Sequence, residues 1–255
     1  MEPNDRSHLR TNRRALLRAG AGVAAVGAFG SLTRASTLAT QTAPQFGSPE
    51  YEAALKITDG IRGVFQSPAL DALSPAGDNL NHLLLVQIKN WLNSFQFAYE
   101  EAPEGLHTLA ATYAAANLLT YGDAVWEKYK LGEKYEITDP MTGAPTIRNL
   151  FWSSRFGPDA PKDITAKDNY YQDTGIEVLQ ERGTIFLSCN NSLNGQAAAA
   201  VADGRAPAGM EAADVATDIA ANLVPGAVLV PAVVGEVSRA QTAGYSLVFI
   251  PKFSL

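Results

Sequence analysis

The sequence predicts an α/β protein: a three-layer α/β/α domain with a mainly parallel sheet of about five strands. Two observations carry that expectation. Strand-like and helix-like segments alternate after residue 47, the pattern of a sheet covered on both faces. The strand-like segments are short and apolar throughout, as strands buried on both sides are. An apolar content of 46% supplies the core such layers need and sets the chain apart from disordered sequences. No internal repeat is visible.

The elements follow in order. Ser48 to Thr58 reads as a short helix, with Ser48 as N-cap and Pro49 in its first turn. Ile61 to Phe65 is the first strand, and Pro68 and Pro75-Ala76-Gly77 mark a loop. Asp78 to Tyr99 is the clearest helix. Leu80, Leu84, Ile88, Trp91, Leu92, Phe95 and Tyr99 recur at three- and four-residue spacing, and Asp78 can cap it. Leu106 to Tyr113 is a strand, and Ala114 to Tyr129 is mostly helical.

From Lys130 to Asn169 the periodicity is lost, and prolines and glycines punctuate the chain. A loop of that length suits a lid or a docking surface. Trp126-Glu127-Lys128-Tyr129 and Phe151-Trp152 flank it and are read as packing it down, with a lid over the strand ends as the alternative. Regularity then returns. Tyr170 to Arg182 is a helix closed by Gly183, and Thr184 to Cys189 is an apolar strand. Asn190 to Ala202 and Met210 to Leu223 are helices. Val228 to Val230 is a strand, Ala232 to Ala243 a helix, and Tyr245 to Ile250 a final strand.

Residues 1–40 are different in kind. A basic start ends in Asn12-Arg13-Arg14-Ala15-Leu16-Leu17-Arg18, and a weakly apolar run from Ala19 to Leu32 follows. Small residues around Ala35 and Ala39 offer places for a signal peptidase to cut, although neither is a clean A-x-A site. That order is the order of a signal peptide. The pair Arg13-Arg14 ahead of a modest apolar stretch resembles a twin-arginine signal. The run is too short and too weakly apolar to span about 30 Å of hydrocarbon. The expectation is a signal over 1–40, followed by one domain over 41–255 with an insertion at about 121–169. The protein would work in the periplasm or otherwise outside the cytoplasm, touching the membrane only through the signal during export.

Charge narrows the partners. The chain has a net charge of −6, but six arginines lie in residues 1–40 against Glu2 and Asp5, so the remainder is more acidic still. No later cluster of Lys and Arg appears, which argues against nucleic acid as a partner. The bland meaning of the acidity is solubility.

Chemistry could sit at Cys189, the single cysteine. It falls at the carboxyl end of a strand, where open α/β sheets bind ligands. The next helix starts at once, with Asn190, Asn191 and Ser192 as candidate caps and ligand-binding residues. A helix amino-terminus favours thiolate over thiol. Free cysteine is also among the most buried residue types, so an inert thiol in the core is the competing reading, as is pairing with a second chain. His82 and His107, with Cys189, could in principle bind a soft metal, but no two of the three have ligand spacing. Neither a metal nor a cofactor is expected.

The run Gly183 through Asn194, then Leu223-Val224-Pro225-Gly226-Ala227-Val228-Leu229-Val230-Pro231-Ala232-Val233-Val234-Gly235-Glu236, then Gln241-Thr242-Ala243-Gly244-Tyr245, resembles the DsrE/DsrF-like family of sulfur-relay proteins. The likeness reaches back to Ile61–Phe65, the helix bearing Asn90 and Asn93, and Leu106–Leu119. It implies a three-layer α/β/α domain that assembles into homo-oligomers. It also implies a persulfide carried on Cys189, handed on by a sulfur donor or to an acceptor protein. The family often has Gly-Pro after its second strand where this chain has Ala114-Ala115, and Tyr121 to Asn169 is extra relative to compact members. Relay members usually work in the cytoplasm, whereas this chain carries an export signal. The alternative is a ligand-binding or structural homo-oligomer, not an enzyme, with an inert Cys189.

Overall fold

Five parallel strands form one sheet in the order β4-β3-β2-β1-β5 in the computed structural model, which describes residues 45–70 and 82–251. The strands are β1 (Ile61–Ser67), β2 (Leu106–Thr112), β3 (Thr184–Cys189), β4 (Val228–Val230) and β5 (Ser246–Phe249). Every pairing is parallel: Ile61 lies opposite Leu106, Thr108 opposite Thr184, Leu187 opposite Val228 and Gly63 opposite Ser246. The expected fold class is therefore the observed one. Arg13 and Arg14, read as the export signal, and Asp78, read as a helix cap, lie outside the described residues.

Helices cover both faces because successive strand side chains point to opposite sides. Phe65, Ala110, Phe186 and Leu229 enter one apolar cluster, and Val64, Leu109, Leu187 and Val228 enter the other. The first and larger layer holds α2 (Leu83–Asn93), α3 (Asp123–Lys128), α4 (Leu131–Lys134), α5 (Ile176–Glu181), α6 (Asn190–Ala202) and α7 (Ala212–Ala221). The second layer holds α1 (Pro49–Ala54) and α8 (Val233–Thr242).

Local sequence explains where these elements start and stop. Ser48 caps α1 by accepting from the Tyr51 N–H at 3.1 Å, with Pro49 in the first turn. Gly183 follows α5 at φ 88°, a conformation costly for any residue with a Cβ.

Predicted helices are shorter than the sequence suggested: α1 ends at Ala54 rather than Thr58, and three others are broken up. The segment read as Asp78 to Tyr99 is helical from Leu83, capped by His82, and from Ser94 to Ala98 it widens into a π-helical turn. The segment read as Ala114 to Tyr129 is a 3₁₀ helix over Ala114–Thr120, a break at Tyr121-Gly122, and α3. The segment read as Tyr170 to Arg182 is a 3₁₀ turn over Tyr170–Gln172, a break, and α5. The Asp173 carboxylate makes that last break. It accepts from the Arg155 N–H at 2.8 Å, the Ser154 hydroxyl at 2.7 Å and the Gly175 N–H at 2.7 Å.

The aperiodic segment is packed down rather than free over the sheet. Trp126, Tyr129 and Phe151 lie in the larger core cluster. Asn149 is buried and donates to the carbonyls of Leu119 and Tyr121 at 2.9 and 2.8 Å. Gly132 passes so close to Thr146 that a Cβ there would collide with backbone.

Candidate functional site at the carboxyl edge of the sheet

β1 through β4 are laid down in one direction, and the helices between them all lie on the larger layer. The chain then reverses: α8 leaves β4 over the opposite face and leads to β5 beyond β1. The connections leaving the carboxyl ends of the neighbours β3 and β4 therefore part to opposite faces. Such a topological switch point is where open α/β sheets place ligands. Cys189 sits there, in register with Val230.

Strand alternation turns the Cys189 side chain toward the smaller layer. It shares an apolar cluster with Val230, Ala111 and Val233, the first residue of α8, and its residue is 5% exposed. Its backbone is held from the other face. Asn117, fully buried, accepts from the Cys189 N–H at 2.7 Å and donates from Nδ2 to the Cys189 carbonyl at 3.2 Å. The same Nδ2 also donates to the Tyr121 hydroxyl at 3.0 Å. The Thr120 hydroxyl donates to the Asn117 carbonyl at 2.7 Å and lies 2.9 Å from the Ser188 hydroxyl. The Thr112 hydroxyl donates to the Leu187 carbonyl at 2.9 Å. Polar groups of β2, β3 and the 3₁₀ helix thus satisfy one another beneath the cysteine, as buried polar groups must.

The three residues expected to cap the following helix do not do so. Cys189 itself is the N-cap, with no side-chain capping bond, so Asn190, Asn191 and Ser192 form the first turn. The strand runs straight into the helix and leaves no spare residue to turn back. Asn190 is half-buried and its carbonyl accepts from Asn194 Nδ2 at 2.9 Å, while Asn191 is exposed. Ser192 is committed elsewhere: its Oγ accepts from the Ala114 N–H at 2.8 Å. Gln196, one turn on, donates from Nε2 to the Ala114 carbonyl at 2.7 Å, and its Oε1 accepts from the Tyr121 hydroxyl. Burial, more than any neighbour, pushes the Tyr121 pKa far above its usual value, so the phenol stays a neutral donor. Ala114 is thereby clamped at φ 48°, a left-handed conformation unfavourable for a residue with a Cβ.

The histidines are not brought to the thiol as a ligand set. His82 is fully buried, with Nε2 2.7 Å from the Ala69 carbonyl and Nδ1 accepting from the Leu84 N–H at 3.2 Å. His107 lies near the amino end of β2, about 20 Å along the strand direction from the level of Cys189. Among the described residues, no three His, Cys, Asp or Glu side chains gather to hold a metal ion. On α8, Glu236 accepts from the Tyr51 hydroxyl at 2.7 Å and from Arg239 at 2.8 Å, so its charge is already matched.

Asn117 and Gln196 are the site residues that sequence reasoning missed. The signal for Asn117 was present: a lone amide inside the apolar run Ala116-Asn117-Leu118-Leu119.

No family model matches the chain, and no curated protein does. Among solved structures, a protein of unknown function from Methanobacterium thermoautotrophicum is similar at 17% identity and a TM-score of 0.34, over 74% of this chain and 99% of that one.

Proposed function

We propose that the protein is an exported, self-associating, DsrE-like α/β domain that takes up sulfane sulfur as a persulfide on Cys189. The observation that carries this reading is the place of Cys189 at the switch point, where both α6 and α8 begin. The N–H groups at two helix amino-termini can receive an anion formed there. In the proposed step the Cys189 thiolate attacks the terminal sulfur of an inorganic polysulfide. A Cys–S–S bond forms as the donor's S–S bond breaks, and the electron pair leaves on the shortened polysulfide. An acceptor thiolate then attacks the outer sulfur and regenerates Cys189. In this reading Asn190 and Asn191, in the first turn of α6, would hydrogen-bond the persulfide anion. Export rests on Arg13-Arg14 and the run after them. Self-association is supported by Leu247 and Phe249, 39% and 51% exposed on the edge strand β5.

A second reading is favoured by one observation, the 5% exposure of Cys189 within an apolar cluster. There the thiol is packing, and the protein is a ligand-binding or structural oligomer. Intact mass after polysulfide treatment, with Cys189→Ser alongside, separates the two. Gain of one sulfur atom, reversed by reductant and absent from the serine variant, is the expected result. A thiol that resists both polysulfide and alkylation until the protein is unfolded sinks the relay and leaves the second reading.

A further inference from the structure

A cavity lies at the end of the sheet opposite Cys189, where the π-helical turn after α2 meets the 3₁₀ turn over Tyr170–Gln172. Its volume is about 160 Å³. Leu92, Leu106 and Pro103 give it apolar walls, Tyr170 and Tyr171 give it aromatic ones, and Arg182 and Lys162 give it cations.

Arg182 is the unusual member. Its Nη2 donates to two neutral oxygens, Asn93 Oδ1 at 2.8 Å and Gln96 Oε1 at 3.3 Å, and its guanidinium lies 5.5 Å from the centre of the Tyr171 ring. Its Nη1 is buried without a hydrogen-bond partner. Burial lowers the Arg182 pKa to about 10, so the group remains cationic at neutral pH but is short of compensation. Lys162 Nζ stands 4.5 Å over the Tyr170 ring. Lys89 donates to Gln172 Oε1 at 2.9 Å, and burial followed by the nearby Arg182 charge lowers its pKa. Among the described residues, none of these three cations makes an ion pair. The acid lining the cavity, Glu181, accepts from the Tyr170 hydroxyl at 3.2 Å.

We infer that this cavity binds a small monocarboxylate with an apolar or aromatic body, its carboxylate meeting Arg182 and Lys162 and its body lying against Tyr171, Leu92 and Leu106. With both Nη2 protons engaged by Asn93 and Gln96, the partnerless Nη1 is the nitrogen left to donate to the carboxylate, in a charge-assisted hydrogen bond stronger than a neutral one. The volume limits the body, since a cavity of about 150 Å³ holds one benzene ring. The walls select against a fully hydrated oxyanion, which would lose water to apolar surface without return. The site stands apart from Cys189 and holds whichever role the thiol has.

Calorimetric titration of the full chain with sodium benzoate tests it, with benzyl alcohol and inorganic phosphate as comparison ligands at matched ionic strength. Benzoate is expected to bind, with benzyl alcohol at least tenfold weaker. Arg182→Gln is expected to weaken benzoate at least tenfold. Lys162→Gln, at an exposed position that does not threaten folding, is expected to weaken it severalfold. Equal binding of benzyl alcohol would reduce the site to an apolar cavity. Phosphate binding in place of benzoate, or benzoate binding unchanged in Lys162→Gln and in folded Arg182→Gln, would overturn the assignment. So would the absence of benzoate binding.

Discussion

Asn117 shows how much one amide can organise. Its side chain satisfies both backbone polar groups of Cys189 and one hydrogen-bonding direction of Tyr121. Asn117→Ala takes from the buried Cys189 N–H and carbonyl the side-chain partners they have. The variant is expected to lose about 3 kcal/mol of stability, read from the denaturant midpoint. Alkylation of Cys189 should quicken in the same variant, because the strand end is no longer held. A midpoint within about 0.5 kcal/mol of the parent would mean that the clamp has no such role. The position of Cys189 at a strand end was legible from its apolar run and the helix-like sequence after it. The partners were not. Asn117 lies 72 residues away from Cys189, and only the sheet brings them together. The capping expectation for Asn190, Asn191 and Ser192 failed for a related reason. Those residue types favour caps, but Ser192 finds its partner in Ala114 on another element.

At the scale of elements, strands were easier to read than helices. β3 and β4 begin and end where their apolar runs do, because burial on both faces leaves one kind of residue. Helix ends depend on competition. Periodicity continues unbroken through Ser94–Ala98, yet the Tyr99 N–H reaches the Ser94 carbonyl at 3.2 Å and makes a π-helical turn. Asp173 interrupts another helix because the aperiodic segment supplies three donors for it.

The aperiodic segment has its own clasp. Arg148 donates from Nε and Nη2 to the Asp139 carboxylate at 2.9 and 3.3 Å, and the Met141 N–H donates to it at 2.9 Å. Those bonds, the guanidinium first, hold the Asp139 pKa below its usual value. A depressed carboxyl contributes stability above its unfolded pKa of about 3.9, and that contribution is lost as pH falls through the folded value. Amides 139 and 146 are therefore expected to exchange faster, relative to the β3 amides, as pH falls below about 4. In Asp139→Asn they should already exchange faster at neutral pH. Equal protection in parent and variant at neutral pH would remove the clasp from the account.

At the scale of the molecule, the two layers are unequal. Among the described residues, six α-helices cover one face of the sheet and two cover the other. Leu247 and Phe249 share the thinner side with Val64, yet both are exposed, and among the described residues β5 has one edge unpaired. Parallel sheets are seldom left so open. Phe249→Lys is expected to shift an oligomer toward monomer in light scattering behind size exclusion, with its circular dichroism unchanged. A parent that is already monomeric at micromolar concentration would remove self-association from the proposal.

The order of the strands also sets a clock. β1 is among the first elements made, and its outer neighbour β5 is the last strand, roughly 180 residues later. At roughly 5–20 residues per second, a ribosome needs roughly 10–40 s to make that stretch. During that time β1 has one edge with nothing to pair with. Arg62 stands on that edge as a charged guard, and only when Ala243 arrives does its guanidinium close on that carbonyl at 2.6 Å. The nascent chain is therefore most open to aggregation while the sheet waits for its fifth strand.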